Sequence, residues 1–285
     1  MASDAHAHPA DLARLFPGAE EERRRLGIPC AASAWNRADF EFHEALAYYL
    51  QFRSNSLGSK ELREIAKGSV GNEVATVNVK LISASLVCCF AVHPQLPAVD
   101  PDGARRHLDT LESLARAGRL AAVGETGFDL YNEAYRDTEA VQDELFQAHL
   151  ETALKYGLPL VLHLRRAMHK VFARSRDLKK VRAVVFHAYP GTPAEGEALL
   201  RRGVNAYFSF GTSIILNHRT AMAAAATLPT DRLLTETDAP YQPLRGAAFS
   251  RYADLGAVLE GLSALRGGEG GLEAAIDRNW RRVFG

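Results

Sequence analysis

Short apolar runs alternate with longer amphipathic segments along most of the chain. Most of the short runs are apolar throughout, as expected for strands that are covered on both faces. The pattern predicts strands at 28–34, 86–92, 120–124, 158–163, 181–187, 205–210 and 232–235, with a further short strand around 2–6 that contains few β-forming residues. The chain therefore offers eight strands.

Segments between these strands carry apolar residues at helical spacing. In 140–156, for example, Leu145, Phe146, Leu150 and Ala153 fall on one helical face. Similar patterns cover 104–117, 195–202, 221–228 and 252–265, and a last helix ends in 279–284. Strands that alternate with helices indicate βα units and a parallel sheet, and eight units at this length favour a closed α/β (β/α)₈ TIM barrel. We interpret residues 1–285 as a single domain.

One segment departs from the alternation. Residues 53–79 are rich in Gly, Ser and Asn and show little periodicity apart from a short helical piece at 61–67. We interpret 53–79 as an insertion between the second helix and the third strand.

Composition narrows the function classes. The 285 residues are 47% hydrophobic, and 34 Lys and Arg balance 34 Asp and Glu. A neutral chain has no overall field that attracts polyanions, so a nucleic-acid role needs a local basic patch. Cys30, Cys88 and Cys89 form no Cys-x-x-Cys pair and indicate buried structural thiols, not a disulfide framework or a thiolate zinc site. No apolar run approaches the roughly 18 residues of a membrane span, and no signal-like segment opens the chain, which predicts a cytoplasmic protein without membrane association.

Histidines and carboxylates recur where the apolar runs end. His6 and His8 are one residue apart, so on a strand both imidazoles point to one side and can reach the same metal ion; a disordered, histidine-rich terminus is the alternative. Glu125 stands between glycines in Val-Gly-Glu-Thr-Gly, which predicts a sharp turn and a carboxylate exposed at a strand end, where it can bridge two cations. An ordinary loop glutamate in water would look the same.

The later strands add two more imidazoles and two acids. His163 and His187 each end an apolar strand; a single such histidine is more often structural, but two in successive βα units favour ligands. Asp238, shortly before Pro240, suits a turn at the barrel top and can both bind a metal and accept a proton from water. Glu236 shares its side of the strand and is a candidate supporting residue. Imidazoles and carboxylates without a thiolate suit Zn, Mn or Mg, and two ions bridged by Glu125 would activate a water.

The sequence resembles the TatD-type metal-dependent deoxyribonucleases of the amidohydrolase superfamily over nearly its whole length. The most specific matches are 123–129 (VGETGFD), 185–192 (VFHAYPGT) and 233–241 (LLTETDAPY). Further matches lie at 4–8, 91–94, 163–167, 207–211 and 279–284.

The resemblance implies a role for each candidate residue. It implies two divalent ions, the first held by His6, His8, Glu125 and Asp238. It implies that the second is held by Glu125, His163 and His187. Asp238 would be the general base, His93 a contact to substrate or phosphate, and Arg165 a bidentate phosphate clamp.

The chain also departs from the family. Arg166 stands where the family usually has an acid, 128–132 is less aliphatic and aromatic than usual, and 53–79 has no clear counterpart. These differences bear on substrate choice more than on metal binding, because every ligand-type residue is present.

A basic cluster follows the fifth predicted strand. It comprises Arg165, Arg166, His169, Lys170, Arg174, Arg176, Lys179, Lys180 and Arg182. It is either a patch for a nucleic-acid backbone or a solvated helix face.

The function predicted from these features is metal-dependent hydrolysis of DNA phosphodiester bonds through a two-metal-activated water, exonucleolytic as the resemblance implies. DNA is the predicted partner, and no obligate protein partner is indicated. The alternatives are a metal-dependent ester or amide hydrolase, such as a deacylase of a small molecule, and a divergent non-catalytic binding protein.

Overall fold

The computed structural model describes residues 3–52 and 86–285. The insertion predicted at 53–79 lies outside the described residues. Among those that are described, no helix combines the length and the apolar character that crossing a membrane requires.

Eight parallel strands close into a barrel in sequence order, β1 pairing with β8 through Asp4 and Thr235. They are β1 Asp4–Ala7, β2 Cys30–Ala34, β3 Leu86–Phe90, β4 Ala122–Asp129, β5 Leu160–Arg165, β6 Val184–Phe186, β7 Ala206–Phe210 and β8 Leu233–Thr235. Each predicted strand has a counterpart, so the predicted (β/α)₈ barrel is confirmed.

Helices separate the strands in the described parts of the chain. They are Pro9–Leu15, Ala19–Arg25, Arg37–Phe52, Leu96–Val99, Pro101–Arg116, Glu133–Arg136, Glu139–Tyr156, Met168–Ala173, Ser175–Leu178, Pro193–Arg201, Arg219–Thr227, Asp254–Leu265 and Leu272–Phe284. Local chemistry sets several of their ends. Thr192 and Glu195 form a reciprocal capping box at the start of Pro193–Arg201, and Gly157 ends Glu139–Tyr156 in the left-handed conformation.

The core has two layers. One cluster takes residues from all eight strands, for example Ala31, Val161 and Val185, and therefore fills the barrel interior, where Trp280 and Phe284 of the last helix close it. A larger cluster packs the outer faces of the strands against the surrounding helices. Because side chains alternate along a strand, a step of two residues leads from the interior core to the candidate ligands: from Val161 to His163 and from Val185 to His187.

Strand β4 corrects one detail of the sequence interpretation. It continues to Asp129 instead of ending at 124, so Glu125 lies within the strand, buried, and is not exposed at its end. The register against β5 shifts between Gly124 and Thr126, which marks a bulge at Glu125. A Cβ at Gly124 would lie 2.4 Å from the Cβ of Val161. Glycine is needed here because β5 approaches closely, not because the chain turns.

Candidate metal centre

Six predicted ligands converge at the carboxyl end of the barrel. His6 lies in β1, Glu125 in β4 and His163 in β5, while His8, His187 and Asp238 follow β1, β6 and β8. All six are buried. Parallel strands bring their carboxyl ends to one face, so residues separated by most of the chain meet there.

One oxygen of Glu125 faces the histidines from β1. Its Oε2 lies 3.2 Å from Nε2 of His6 and 3.6 Å from Nε2 of His8. The same two nitrogens lie 3.6 and 3.4 Å from Oδ1 of Asp238. These four residues form the Oε2 group.

The other oxygen of Glu125 faces three further imidazoles. Its Oε1 lies 2.6 Å from Nδ1 of His163 and 3.3 Å from Nε2 of His187. Nε2 of His93 also lies 3.3 Å away. We call Glu125 with these three histidines the Oε1 group. The carboxylate of Glu125 therefore stands between two sets of ligand atoms, as a bridging carboxylate would.

The separations fit shared coordination of divalent ions. Two ligands bound about 2.0–2.1 Å from a tetrahedral ion lie about 3.3 Å apart, near most of the distances above. Within 3–52 and 86–285, three sets of ligand atoms lie close enough together to hold an ion: His6, His8 and Glu125; His93, Glu125 and His163; and His6, His187 and Asp238. His187 therefore lies near both groups. The donor set, imidazole nitrogens and carboxylate oxygens, suits Zn²⁺ and Mn²⁺.

Three of the imidazoles are oriented by contacts to the ring nitrogen that points away from the centre. Ser33 Oγ lies 3.1 Å from Nδ1 of His6. Nε2 of His163 donates to Oδ2 of Asp129 at 3.1 Å, and Nδ1 of His187 donates to Oε1 of Glu236 at 2.9 Å. In each ring the remaining nitrogen faces the centre, which is how such partners fix a metal-binding tautomer. The predicted supporting position of Glu236 agrees with this contact.

The charges of the centre shift the pKa values of its acids. Burial alone would raise the pKa of Glu125, but His93, His187 and His6 hold it well below its ordinary value. Burial would also raise the pKa of Asp238, but the charge of His187 and a hydrogen bond with His8 lower it below its ordinary value. Both acids are therefore deprotonated at neutral pH, as metal ligands must be.

His187 shows the opposite shift. Burial would lower its pKa, but the carboxylates of Glu236, Glu125 and Asp238 raise it to about 10. The ring is therefore a positively charged imidazolium at neutral pH when no cation offsets these negative charges. A bound divalent ion would replace that proton.

The backbone is also unusual at the carboxyl end of the barrel. Non-glycine residues with positive φ include Arg166 (58°), Ala188 (41°), Asp238 (55°) and Gln242 (53°). Asp238 is held in place because its N–H donates to the carbonyl of His6 at 2.9 Å. Its Oδ2 accepts from Nε2 of Gln242 at 2.7 Å. Such conformations persist where surrounding contacts enforce them, and they concentrate at functional sites.

Two further predicted residues lie at different depths. His93, predicted as a substrate contact, packs its ring 4.7 Å from that of His163 and presents Nε2 to Glu125, so its position also suits a ligand. Arg165 lies at the rim, with its side chain 41% exposed and its NH1 3.6 Å from Oδ2 of Asp129.

Three residues of the basic cluster form ion pairs with carboxylates of the same chain. Lys170 pairs with Asp143 at 2.8 Å and also with Glu139, Arg174 pairs with Asp143, and Lys180 pairs with Asp177 at 2.7 Å. Lys170 and Arg174 are only 13% and 24% exposed, so they are neutralised within the fold, whereas Lys180 belongs to a solvated face.

Three residues of the site were missed from sequence. Asp129 is completely buried and contacts His163, but the predicted end of β4 at 124 left it in a loop. A strand continued through the glycines would have placed Asp129 beside Glu125. Ser33 and Gln242 carry no signal in the sequence beyond their neighbourhood.

The chain is similar to known proteins in sequence. The family described as TatD related DNase matches residues 4–285. The 3'-5' ssDNA/RNA exonuclease TatD of Erwinia tasmaniensis is 33% identical over 186 residues, which cover 61% of this chain and 70% of that protein. The uncharacterized metal-dependent hydrolase TatD of Mycobacterium tuberculosis is 34% identical over 171 residues, 57% of this chain and 62% of that protein.

Solved structures show the same fold. YjjV, a TatD homologue from Escherichia coli K12, superposes with a TM-score of 0.77 at 22% identity over 99% of this chain and 97% of that chain. An uncharacterized amidohydrolase from Saccharomyces cerevisiae reaches 0.68 at 16% identity, covering 99% of this chain and 98% of that chain. The family match over nearly the whole length establishes that the chain belongs to the TatD related DNases, a family of metal-dependent hydrolases.

Proposed function

We propose that this protein is a divalent-metal-dependent deoxyribonuclease that hydrolyses DNA phosphodiester bonds exonucleolytically. The observation that carries the proposal is Glu125, whose two oxygens face two separate groups of ligand atoms. Relatives named 3'-5' ssDNA/RNA exonuclease TatD support the substrate class.

The ligand assignment follows the two groups. His6, His8, Glu125 and Asp238 would hold one ion. Glu125, His163 and His187 would hold the other, and Nε2 of His93 stands as near to Oε1 as that of His187. When bound, Zn, Mn or Mg ions would polarise the attacking water and neutralise charge on the phosphate.

The protein's own groups handle the proton and the substrate. Asp238 is deprotonated at neutral pH because its pKa is lowered, so its carboxylate can accept the proton of the attacking water. The hydrogen bond from Gln242 keeps that carboxylate in position. Arg165, exposed at the rim, would contact a backbone phosphate of the substrate.

A cleavage assay on labelled single-stranded DNA with Mg²⁺, Mn²⁺ and Zn²⁺ tests the proposal. We expect shortening of the strand from one end, with activity reduced at least about a hundredfold in His163→Ala and Asp238→Ala. His169→Ala and Asp231→Ala, at exposed positions, serve as matched controls. Retained activity in both site variants would exclude the metal mechanism.

The same assay separates the alternative functions. Turnover of carboxylic esters or amides without DNA cleavage would support the deacylase. An absence of turnover on every substrate, with metal bound, would support a non-catalytic binding protein. Metal analysis of the purified protein gives the number and identity of the ions.

A further inference from the structure

An exposed aromatic ring and two guanidinium groups meet at the rim of the barrel, beside the metal centre. Tyr131 follows β4 and is 47% exposed. Arg165 ends β5, and Arg166 follows it with an exposed side chain. Cζ of Arg165 lies 3.9 Å from the centre of the Tyr131 ring, and Cζ of Arg166 lies 4.8 Å from it. We call these three residues the rim cluster.

The rim cluster is held in a defined geometry. NH1 of Arg166 donates to the carbonyl of Tyr131 at 3.1 Å, and Arg166 itself has a positive φ of 58°. The N–H of Tyr131 donates to Oδ1 of Asp129 at 2.9 Å. Oδ2 of the same Asp129 accepts from His163. One carboxylate therefore connects the rim cluster to a candidate metal ligand.

The two arginines differ in charge pairing from their basic neighbours. Lys170, Arg174 and Lys180 each pair with a carboxylate within 3 Å. Arg165 has only a 3.6 Å contact with Asp129, and Arg166 has no ion pair with any residue in 3–52 or 86–285. In a chain with no net charge, these two side chains form a local positive site beside the centre.

We propose that the rim cluster is a subsite for a backbone phosphate adjacent to the scissile one in a nucleic-acid strand. A guanidinium group matches a phosphate with two parallel hydrogen bonds, and stacking on an aromatic ring orients it beforehand. Tyr131 supplies that ring, so the arginines lose little side-chain freedom when the phosphate binds. The inference rests on the proposed function, because it assigns the cluster to the same substrate.

A comparison of two substrates tests the subsite. A short single-stranded oligonucleotide has neighbouring phosphates, whereas bis(4-nitrophenyl) phosphate is a diester that has none. In Arg166→Ala we expect KM for the oligonucleotide to rise about fivefold to tenfold, since a hydrogen bond to a charged group is lost at an exposed position. Turnover of the small diester should change less than about twofold.

Two further variants isolate the ring. Tyr131→Leu should weaken oligonucleotide binding as Arg166→Ala does. Tyr131→Phe keeps the aromatic ring and should bind the oligonucleotide as tightly as the wild type. Fluorescence anisotropy on the full-length protein should also show the salt dependence of oligonucleotide affinity falling by about 0.7 in logarithmic slope in Arg166→Ala. Arg176→Ala, at an exposed position on the same segment, is the matched control.

The outcomes are distinguishable. Equal losses on both substrates, or none on the oligonucleotide, would overturn the subsite while leaving the proposed nuclease intact. A wild-type protein that cleaves neither diester overturns the proposed function. The anisotropy measurement then still decides whether the rim cluster binds a strand.

Discussion

The two sides of Glu125 are built differently. In the Oε1 group, His163 and His187 each donate to a buried carboxylate, from Asp129 and Glu236. In the Oε2 group, His6 has only the hydroxyl of Ser33, and no partner within the described residues lies at Nδ1 of His8. A carboxylate partner makes an imidazole a stronger ligand than a hydroxyl does. We therefore expect an ion held by the Oε1 group to bind more tightly, and an ion held by the Oε2 group to be easier to remove.

The largest effect should come from the residue that the two groups share. In Glu125→Gln both groups lose their common negative ligand, so we expect activity to fall at least about a thousandfold and metal content to drop below one ion per chain. Glu133→Gln, at an exposed position, is the control. If one ion stayed bound at full affinity, Glu125 would not be a bridge.

The second-largest effect is expected at Asp129, which orients His163 in the Oε1 group. Asp129→Asn keeps the shape of the side chain but removes its charge, and we expect metal affinity to fall about tenfold to a hundredfold at one of two sites. Competition with a chromophoric chelator measures this. An equal loss at both sites would show that Asp129 stabilises the barrel in general and not one group.

Proton release gives a third, smaller effect. The pKa of His187 is raised to about 10, so the ring is protonated at neutral pH and must lose its proton to bind metal. Metal affinity should therefore rise with pH, by about tenfold per pH unit for one proton, up to that pKa. Calorimetry in two buffers that differ in ionisation enthalpy counts the protons. Glu236→Gln removes a negative charge that raises the pKa of His187, so metal binding to this variant should release fewer protons.

The smallest effect is expected at Ser33. In Ser33→Ala, His6 loses a neutral partner only, and we expect metal affinity to fall less than about threefold, because one neutral hydrogen bond contributes modestly. A loss as large as that in Asp129→Asn would remove the difference between the two groups.

The alternation of apolar runs and helices was sufficient to predict the barrel. The convergence of candidate ligands at strand ends was also predictable wherever side chains alternate regularly, as at His163 and His187. Glu125 was harder, because Gly-Glu-Thr-Gly looks like a loop, whereas the structure uses the glycines to let β5 approach. The residues that orient the candidate ligands could not be predicted from the sequence. The contact between Asp129 and His163, for example, depends on a shifted register between two strands.

The distribution of charge along the chain did not show which basic residues at the rim lack a carboxylate partner. Nine basic residues after the fifth predicted strand looked alike in sequence. Lys170 and Arg174 are neutralised by Asp143, which lies 27 and 31 residues away on a neighbouring helix. Only the fold shows which cations remain free of such partners.

The helix Leu272–Phe284 has a consequence for β1, the strand that carries His6. Nε1 of Trp280 donates to the carbonyl of Asp4 at 3.2 Å, and Nδ2 of Asn279 donates to the carbonyl of Leu233 at 2.9 Å. The helix thus fastens β1, the strand that carries His6, to β8. The position of His6 therefore depends on a contact between residues 276 positions apart in the chain. Loosening that contact should disturb the candidate metal centre through β1.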